Sequence, residues 1–320
     1  LSKSFYYRAY FNMGTLGALF SRLGLPQDSL ESLMGRKNPS GKSGFRPGIK
    51  AFRFLPNMIV FFFSIVFLQK KFKKAFDKIS ERTNLLQKEI DNFNVVNYFR
   101  CYEEIHSVAS KAAYYNILIP IVFHVSNRLL QKKLKRRGIP FENLDFIKDF
   151  PELLAYDPGG YLSSLQQKWI SMPLSSRDHI PDINTLLSSR DDPILKDFVD
   201  DLDAFIQQFG HFSESGNDFS FTPWQEDPDF LFTQVRQGVE AGSESRKRKG
   251  NLSLASKEIP RRAYRRAGHF RLYREMISSE YTRSYGLFRK LFLTTGTFFK
   301  EKGWLNDPED VFYLTLERHN

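Results

Sequence analysis

The longest uninterrupted pattern in this sequence runs from Pro260 to about Lys302 and has the spacing of an α-helix. Apolar residues recur every three or four positions along it, and Gly303 then provides a helix stop. These apolar positions are Tyr264, Phe270, Met276, Ile277, Tyr281, Leu287, Phe288, Leu291 and Phe298. Such a segment is typical of a helical protein.

The rest of the sequence also favours helices. Asp191 to Phe209 predicts an amphipathic helix, with an inward face formed by Ile194, Leu195, Phe198, Leu202, Phe205, Ile206 and Phe209. Lys70 to Asn92 predicts another, with Leu85, Leu86, Ile90 and Phe93 inward. Residues 94–137 predict two helices that Pro120 kinks or separates, and Ser4 to Phe20 predicts the first helix of the chain. Alternating strand patterns are short and confined to the C-terminal tail, so the predicted fold is all-α, a large multi-helix domain with long loops.

The most apolar run, Met58 to Leu68, raises the question of a membrane span. Arg53 and Lys70 bracket only 16 residues, whereas a bilayer span needs roughly 20 apolar residues. A buried helix is therefore the favoured interpretation, and a membrane-associated helix over 54–68 is the alternative. Gly41-Lys42-Ser43 resembles the end of a phosphate-binding loop, but Arg36 stands where that motif requires glycine.

Composition excludes several classes of protein. With 320 residues and 15% aromatic residues, the chain has enough length and apolar content for a sizeable core and is not a disordered chain. One cysteine excludes an intramolecular disulfide framework and a cysteine-only zinc site, and Cys101 is expected to pack inertly. His106 and His124 lack acidic partners at ligand spacing, so no metal site is predicted.

The net charge of +11 is concentrated in one block. From Arg246 to Arg274 there are eleven Lys and Arg residues and a single acid, Glu258. Such a block attracts polyanions, among them nucleic acid, phosphorylated ligands and anionic lipid. The structural alternative is a solvated helix face that follows a loop over 241–252.

Three stretches of the sequence contain motifs that helix packing alone does not explain. Residues 209–220 read FGHFSESGNDFS and are followed by PWQEDP at 223–228; Tyr273-Arg274-Glu275 lies on the long helix, with Arg283 further on; residues 307–317 read DPEDVFYLTLE. Together and in this order they resemble the middle region of the pyruvate phosphate dikinase and phosphoenolpyruvate synthase family, with rifampicin phosphotransferase-like proteins as similar members. The positions that fit are Gly210, His211, Asp218, Trp224, Glu226, Asp227, Pro228, Arg274, Glu275, Asp310, Phe312, Leu314, Thr315 and Glu317. The sequence departs from the family pattern at Gly216, Pro223 and Gln225.

The resemblance implies a multidomain phosphotransferase. Members carry an ATP-grasp module, this helical region and a swivelling phosphohistidine module, which takes phosphate from ATP and delivers it to an acceptor. We therefore expect residues 1–50 to join an ATP-grasp module, and 51–320 to form a substrate-binding helical region that ends before the phosphohistidine module. This fragment alone is expected to be catalytically incomplete, and ATP and Mg²⁺ are expected for the full-length cytoplasmic parent.

The expected partners are a small-molecule acceptor and the two modules, with no membrane partner. The alternative is a non-enzymatic module that binds nucleic acid or another polyanion through residues 246–274.

The same stretches supply the candidate site residues. Those predicted for substrate binding are His211, Glu214, Asp218, Trp224, Glu226, Arg274 and Glu275, and those for docking a phosphate or a module are Arg265, Arg266 and Arg271. A histidine beside carboxylates can orient a hydroxyl or serve in acid–base chemistry, and arginine forks onto phosphate oxygens. The alternatives are structural: Asp218 and Ser213 cap helices, His211 braces a turn, Trp224 fills a core, and Arg274 pairs with Glu275 within the helix.

Overall fold

The computed structural model describes residues 2–5, 8–11, 67–92, 97–173, 180, 182–189, 191–213, 218, 220–240 and 252–314. It divides the chain into two compact units, Leu1–Lys73 and Lys74–Asn320, each described here by itself. The predicted boundary at residue 50, the loop over 41–43, Phe93 and most of the apolar run 58–68 lie outside the described residues.

The first unit contains a short hairpin. Strand β1 (Ser2–Phe5) pairs antiparallel with β2 (Arg8–Phe11), so that Ser2 lies opposite Phe11 and Phe5 opposite Arg8. The prediction of a helix beginning at Ser4 is therefore wrong for this segment. Tyrosine and phenylalanine favour strands, and this preference outweighs the helical spacing here.

The second unit is helical, which confirms the all-α fold for the larger part of the described chain. The helices are α1 (Leu68–Asp91, which begins in the first unit), α2 (Tyr98–Lys135), α3 (Phe146–Asp149), α4 (Pro158–Ser171), α5 (Ile183–Ser188), α6 (Pro193–Phe209), α7 (Pro228–Glu240) and α8 (Arg261–Glu301). Short 3₁₀ helices cover Phe141–Asn143, Pro151–Tyr156 and Pro308–Tyr313. The long helix and its stop are confirmed, since Gly303 adopts a φ of 72°.

Helices α2 and α8 pack along each other in opposite directions. Near the start of α2, the ring centroid of Tyr102 lies 5.6 Å from that of Phe288, which is near the end of α8. The predicted break at Pro120 is wrong, because α2 continues through it. Ile119 and Val122 are buried on either side of the proline, and their burial offsets the backbone hydrogen bond that proline removes.

One apolar cluster fills the space between α4, α5, α6 and α7. Its members include Trp169, Phe198, Phe205, Phe209 and Phe232. The predicted inward face of the 191–209 helix is confirmed except at Ile194, which is half exposed in the first turn of α6. In α1, Leu86 and Ile90 are buried as predicted, whereas Leu85 is 44% exposed because it is rotated about 100° from Leu86 around the helix axis.

A second apolar cluster joins the end of α2 to the start of α8. The ring of Tyr264 stacks on Phe146, with centroids 4.7 Å apart. Its hydroxyl donates to the Asp145 carbonyl at 2.8 Å and to the Asp149 carboxylate at 2.9 Å. Burial raises the pKa of Tyr264, so the hydroxyl keeps its proton and remains a donor. These bonds fix the direction in which α8 leaves the cluster.

Among the described helices, α2 alone has the length and composition to cross a membrane. In its most apolar 18-residue window, 28% of the residues are buried. Core helices of water-soluble proteins pass the same test, and α2 packs along α8, so this finding does not establish a membrane span. Cys101 is buried on this helix with a free thiol, as expected for a packing residue.

Candidate functional site

A cavity of about 1070 Å³ opens between α1, the end of α6, the loop after α6 and the second half of α8. Polar and apolar atoms share its lining about equally, and the polar residues are Thr83, Gln87, Gln207, His211, Gln225, Glu226, Arg283, Lys290, Thr294, Thr297 and Glu301. All of these residues belong to the second unit. A pocket of this size is sufficient for a small organic ligand.

The Gly-His turn places His211 in the wall of this cavity. A Cβ at Gly210 would lie 2.3 Å from the Ile206 carbonyl oxygen, so a residue with a side chain would not fit the end of α6 there. The loop then folds back, because the Gln225 amide donates to the Gly210 carbonyl at 2.9 Å and the Trp224 amide donates to the Phe212 carbonyl at 2.9 Å. His211 therefore faces α8, with its Nε2 atom 3.1 Å from Ser279 Oγ.

His211 is a neutral side chain at physiological pH. Burial, and after it the positive charge of Arg283, lower its pKa to about 3, and hydrogen bonding to the Ser279 backbone acts in the opposite direction. A neutral imidazole carries one donor and one acceptor nitrogen. Because a general base works best when its pKa is near the operating pH, His211 is suited to orienting a hydroxyl rather than to removing its proton.

Arg283 is the cation whose charge acts on this imidazole. Its guanidinium donates to the buried carboxylate of Glu280 at 3.2 Å and to the Asn84 side-chain oxygen at 2.7 Å. Lys290, a second cation in the lining, pairs with Asp91. Both positive charges of the cavity wall therefore already have protein partners.

Two carboxylates, Glu226 and Glu301, and several neutral groups make up the rest of the polar wall. The side-chain amides of Gln87, Gln207 and Gln225 make no hydrogen bond to any described residue. The hydroxyls of Thr294 and Thr297 donate to backbone carbonyls of α8, which leaves their oxygens able to accept. The groups that remain for a ligand are thus amide donors and acceptors, hydroxyl acceptors, a neutral imidazole and the Glu301 carboxylate, which disfavours an anionic ligand.

The predicted acidic residues of the loop are dispersed. Glu214 lies outside the described residues. Asp218 is exposed, and its Oδ1 atom accepts from the Ser220 amide at 3.0 Å and the Ser220 hydroxyl at 2.6 Å, which is a turn-capping arrangement. Glu226 lines the cavity and accepts from Arg289 Nε at 2.8 Å.

Trp224 lies at the edge of the first apolar cluster rather than in the cavity lining. Its ring stacks on Phe205 at a centroid distance of 5.7 Å and contacts Phe212 at 6.0 Å. In the described part of the chain its buried indole nitrogen has no hydrogen-bond partner. In this structure Trp224 anchors the loop that carries Gln225 and Glu226.

The predicted arginines of α8 lie apart from the cavity. Arg274 donates to Glu275, its neighbour in sequence, and its guanidinium carbon lies 4.6 Å from the centre of the Phe123 ring. Arg271 sits over Phe146 at 5.5 Å, where burial lowers its pKa, and Arg266 over Phe270 at 5.8 Å. Arg265 is exposed to solvent. Several of these cations thus use an aromatic ring of the protein as a partner.

Arg289 is a structural residue that the sequence did not suggest. Its side chain is 3% exposed, and it donates to Glu226, to the Ser220 carbonyl at 3.0 Å and to Glu309 at 3.2 Å. It therefore ties the cavity loop to the 3₁₀ helix Pro308–Tyr313. Arg289 is not one of the periodic apolar positions of α8. Its only indication in the sequence is that two of the motifs contain acidic residues, Glu226 and Glu309, with which it pairs. Ser279, Gln87 and Gln207 gave no signal, because only the fold brings them to His211.

No known protein-family model matches this chain, and no curated protein matches it significantly.

Proposed function

We propose that this chain is the helical, substrate-binding central region of a phosphoenolpyruvate synthase- or pyruvate phosphate dikinase-like phosphotransferase, and that the cavity beside His211 binds the acceptor. The observation that supports this is the position of His211. The histidine of the Gly-His motif lies in the wall of the 1070 Å³ cavity, 3.1 Å from Ser279 and beside Arg283. Glu226, from the second part of the same motif, lines the same cavity.

The wall chemistry supports a neutral acceptor with several hydroxyl groups. An acceptor of a phosphoryl group must present a nucleophile, and a hydroxyl is the nucleophile that amides and a neutral imidazole are suited to hold. Arg283 and Lys290 are already paired with Asn84, Glu280 and Asp91, so a strongly anionic acceptor would have to displace these partners. His211 then orients the reacting hydroxyl, and proton removal belongs to another group of the parent enzyme.

In this proposal the parent divides the reaction among its modules. The ATP-grasp module would hold ATP and Mg²⁺, and the phosphohistidine module would carry phosphate to the acceptor in the cytoplasm. Arg265, Arg266 and Arg271 are the proposed docking positions for a phosphate or a module, with Arg274 and Glu275 on the same helix. The role of the helical region is to hold the acceptor in line for transfer, a task that depends on position more than on covalent chemistry.

Isothermal titration calorimetry with a panel of sugars, cyclitols and nucleosides tests the acceptor site. We expect at least one compound to bind, and we expect Gln207→Leu to weaken it about tenfold, since one lost hydrogen bond costs about 1 to 1.5 kcal/mol. Gln237→Leu is the matched control, because Gln237 is an exposed glutamine of α7 outside the cavity lining.

An ATPase assay on the same purified chain provides the second arm. The proposal expects no hydrolysis above the rate without protein, because the nucleotide site belongs to a different module. Robust ATP hydrolysis, or equal loss of binding in both glutamine variants, would contradict the proposal.

A further inference from the structure

Helix α2 carries an apolar stripe on the face turned away from α8. Tyr114, Ile117, Val125 and Leu129 are each more than half exposed, and their spacing places them on one side of the helix. The opposite side contributes buried residues such as Ile105, Ile119 and Leu130 to the core. Exposed apolar side chains grouped on one side of a helix mark a candidate interaction surface.

The same face becomes basic towards the end of α2. Arg128, Lys132, Lys135 and Arg136 are all exposed and follow the stripe at helical spacing. No acid occurs in the sequence from Lys111 to Gly138. An apolar row that leads directly into a cluster of cations therefore occupies one continuous helix surface.

The fold adds a second basic cluster beside this end of α2. The Arg137 guanidinium donates to the Glu258 carbonyl, which brings the last residues of α2 next to the start of α8. There, Arg261 and Arg262 are exposed in the first turn. Two basic clusters more than a hundred residues apart in sequence are thus joined into one surface.

We propose that this composite face docks the protein peripherally on an anionic phospholipid surface. The face consists of the α2 stripe (Tyr114, Ile117, Val125 and Leu129), the basic segment 128–137 that ends α2 and continues just beyond it, and Arg261 with Arg262. A bilayer interface accepts both parts, because acyl chains receive the apolar side chains while anionic headgroups attract lysine and arginine. Nucleic acid would match the cations and leave the aliphatic side chains in water.

This inference is independent of the acceptor site and departs from the expectation of no membrane partner. That expectation rested on the apolar run 58–68, which is too short to span a bilayer. A peripheral surface becomes visible only when the fold shows which side of α2 is exposed and which residues lie beside its end.

Vesicle co-sedimentation of the whole chain tests the proposal. We expect binding to vesicles of phosphatidylcholine with phosphatidylserine, little binding to phosphatidylcholine alone, and a decrease of binding as salt is raised. Arg261→Gln with Arg262→Gln should weaken binding about 30-fold, since each cation near an anionic surface contributes a factor of about five. Lys300→Gln with Lys302→Gln, two exposed cations at the far end of α8, should leave binding unchanged.

The apolar part has its own pair of variants. Ile117→Ser with Leu129→Ser should weaken vesicle binding about tenfold and lower the melting temperature far less than a core substitution would, because both side chains are at least half exposed. Ile194→Ser on α6, which is also half exposed, is the matched control. Equal binding to both kinds of vesicle, or a stripe variant that melts like a core mutant, would overturn the proposal. Binding of a DNA duplex in place of vesicles would also overturn the proposal.

Discussion

Replacing Arg289 by alanine is expected to lower the free energy of unfolding by about 3 kcal/mol. The guanidinium is 3% exposed and serves two carboxylates and a backbone carbonyl, and its carbon atom also lies 5.4 Å from the centre of the Phe312 ring. Its removal leaves these acceptors without their donor and opens a cavity, and truncation of a buried ion-pair partner costs several kcal/mol. Urea denaturation followed by circular dichroism measures the change.

The next residue provides the control. Lys290 pairs with Asp91 in a more exposed position, so Lys290→Ala should cost less than about 1 kcal/mol. Arg289→Lys should fall between the two, because lysine keeps the charge without the planar fork. If Arg289→Ala and Lys290→Ala had equal effects, Arg289 would not be the link between the cavity loop and the C-terminal 3₁₀ helix.

Acidification is expected to destabilise the protein through His211 by about 2 kcal/mol between about pH 6.5 and about pH 5. In the unfolded chain a histidine has a pKa near 6.5, whereas the pKa of His211 in the folded protein is about 3. As the pH falls below about 6.5, the unfolded chain takes up a proton that the folded chain does not. The stability that neutral His211 confers is therefore complete above about pH 6.5 and is lost as the pH falls towards 3.

The His211→Gln variant isolates this effect. Glutamine does not titrate and can keep a hydrogen bond to Ser279, so the variant should lose less stability than the wild type over the same pH range. Denaturation curves at several pH values, subtracted between the two proteins, give the contribution of His211. Parallel curves would mean that His211 is protonated as readily in the folded protein as in the unfolded chain.

Much of the helical architecture follows from local pattern. The helices α6 and α8 lie where the apolar spacing predicts them, since amphipathic segments bury one face whatever their partner. The failures are cases where a second effect outweighs local spacing. Aromatic strand preference produces the hairpin at Ser2–Phe11, and burial on both sides of Pro120 keeps α2 continuous.

The candidate site follows from the sequence only in part. The Gly-His motif of the resemblance drew attention to His211, and the structure places this residue in the cavity lining. The partners of His211 come from α8 and α1, 68 and more residues away, and ordinary glutamine, threonine and serine side chains give no signal until the fold brings them together. Trp224 and Arg274 pack against Phe205 and Phe123, outside the cavity lining. Local sequence does not predict these contacts, because tertiary packing determines which residues become neighbours.

The most direct test of the acceptor site is nuclear magnetic resonance of the imidazole nitrogens during titration with a compound that binds by calorimetry. Selective histidine labelling, with assignment from the spectrum of His211→Gln, identifies the His211 signals. The proposed function predicts that these nitrogen shifts move and saturate with the calorimetric Kd, with His211 remaining neutral throughout. Binding that leaves the His211 nitrogens unshifted would contradict it, because the acceptor would then lie elsewhere.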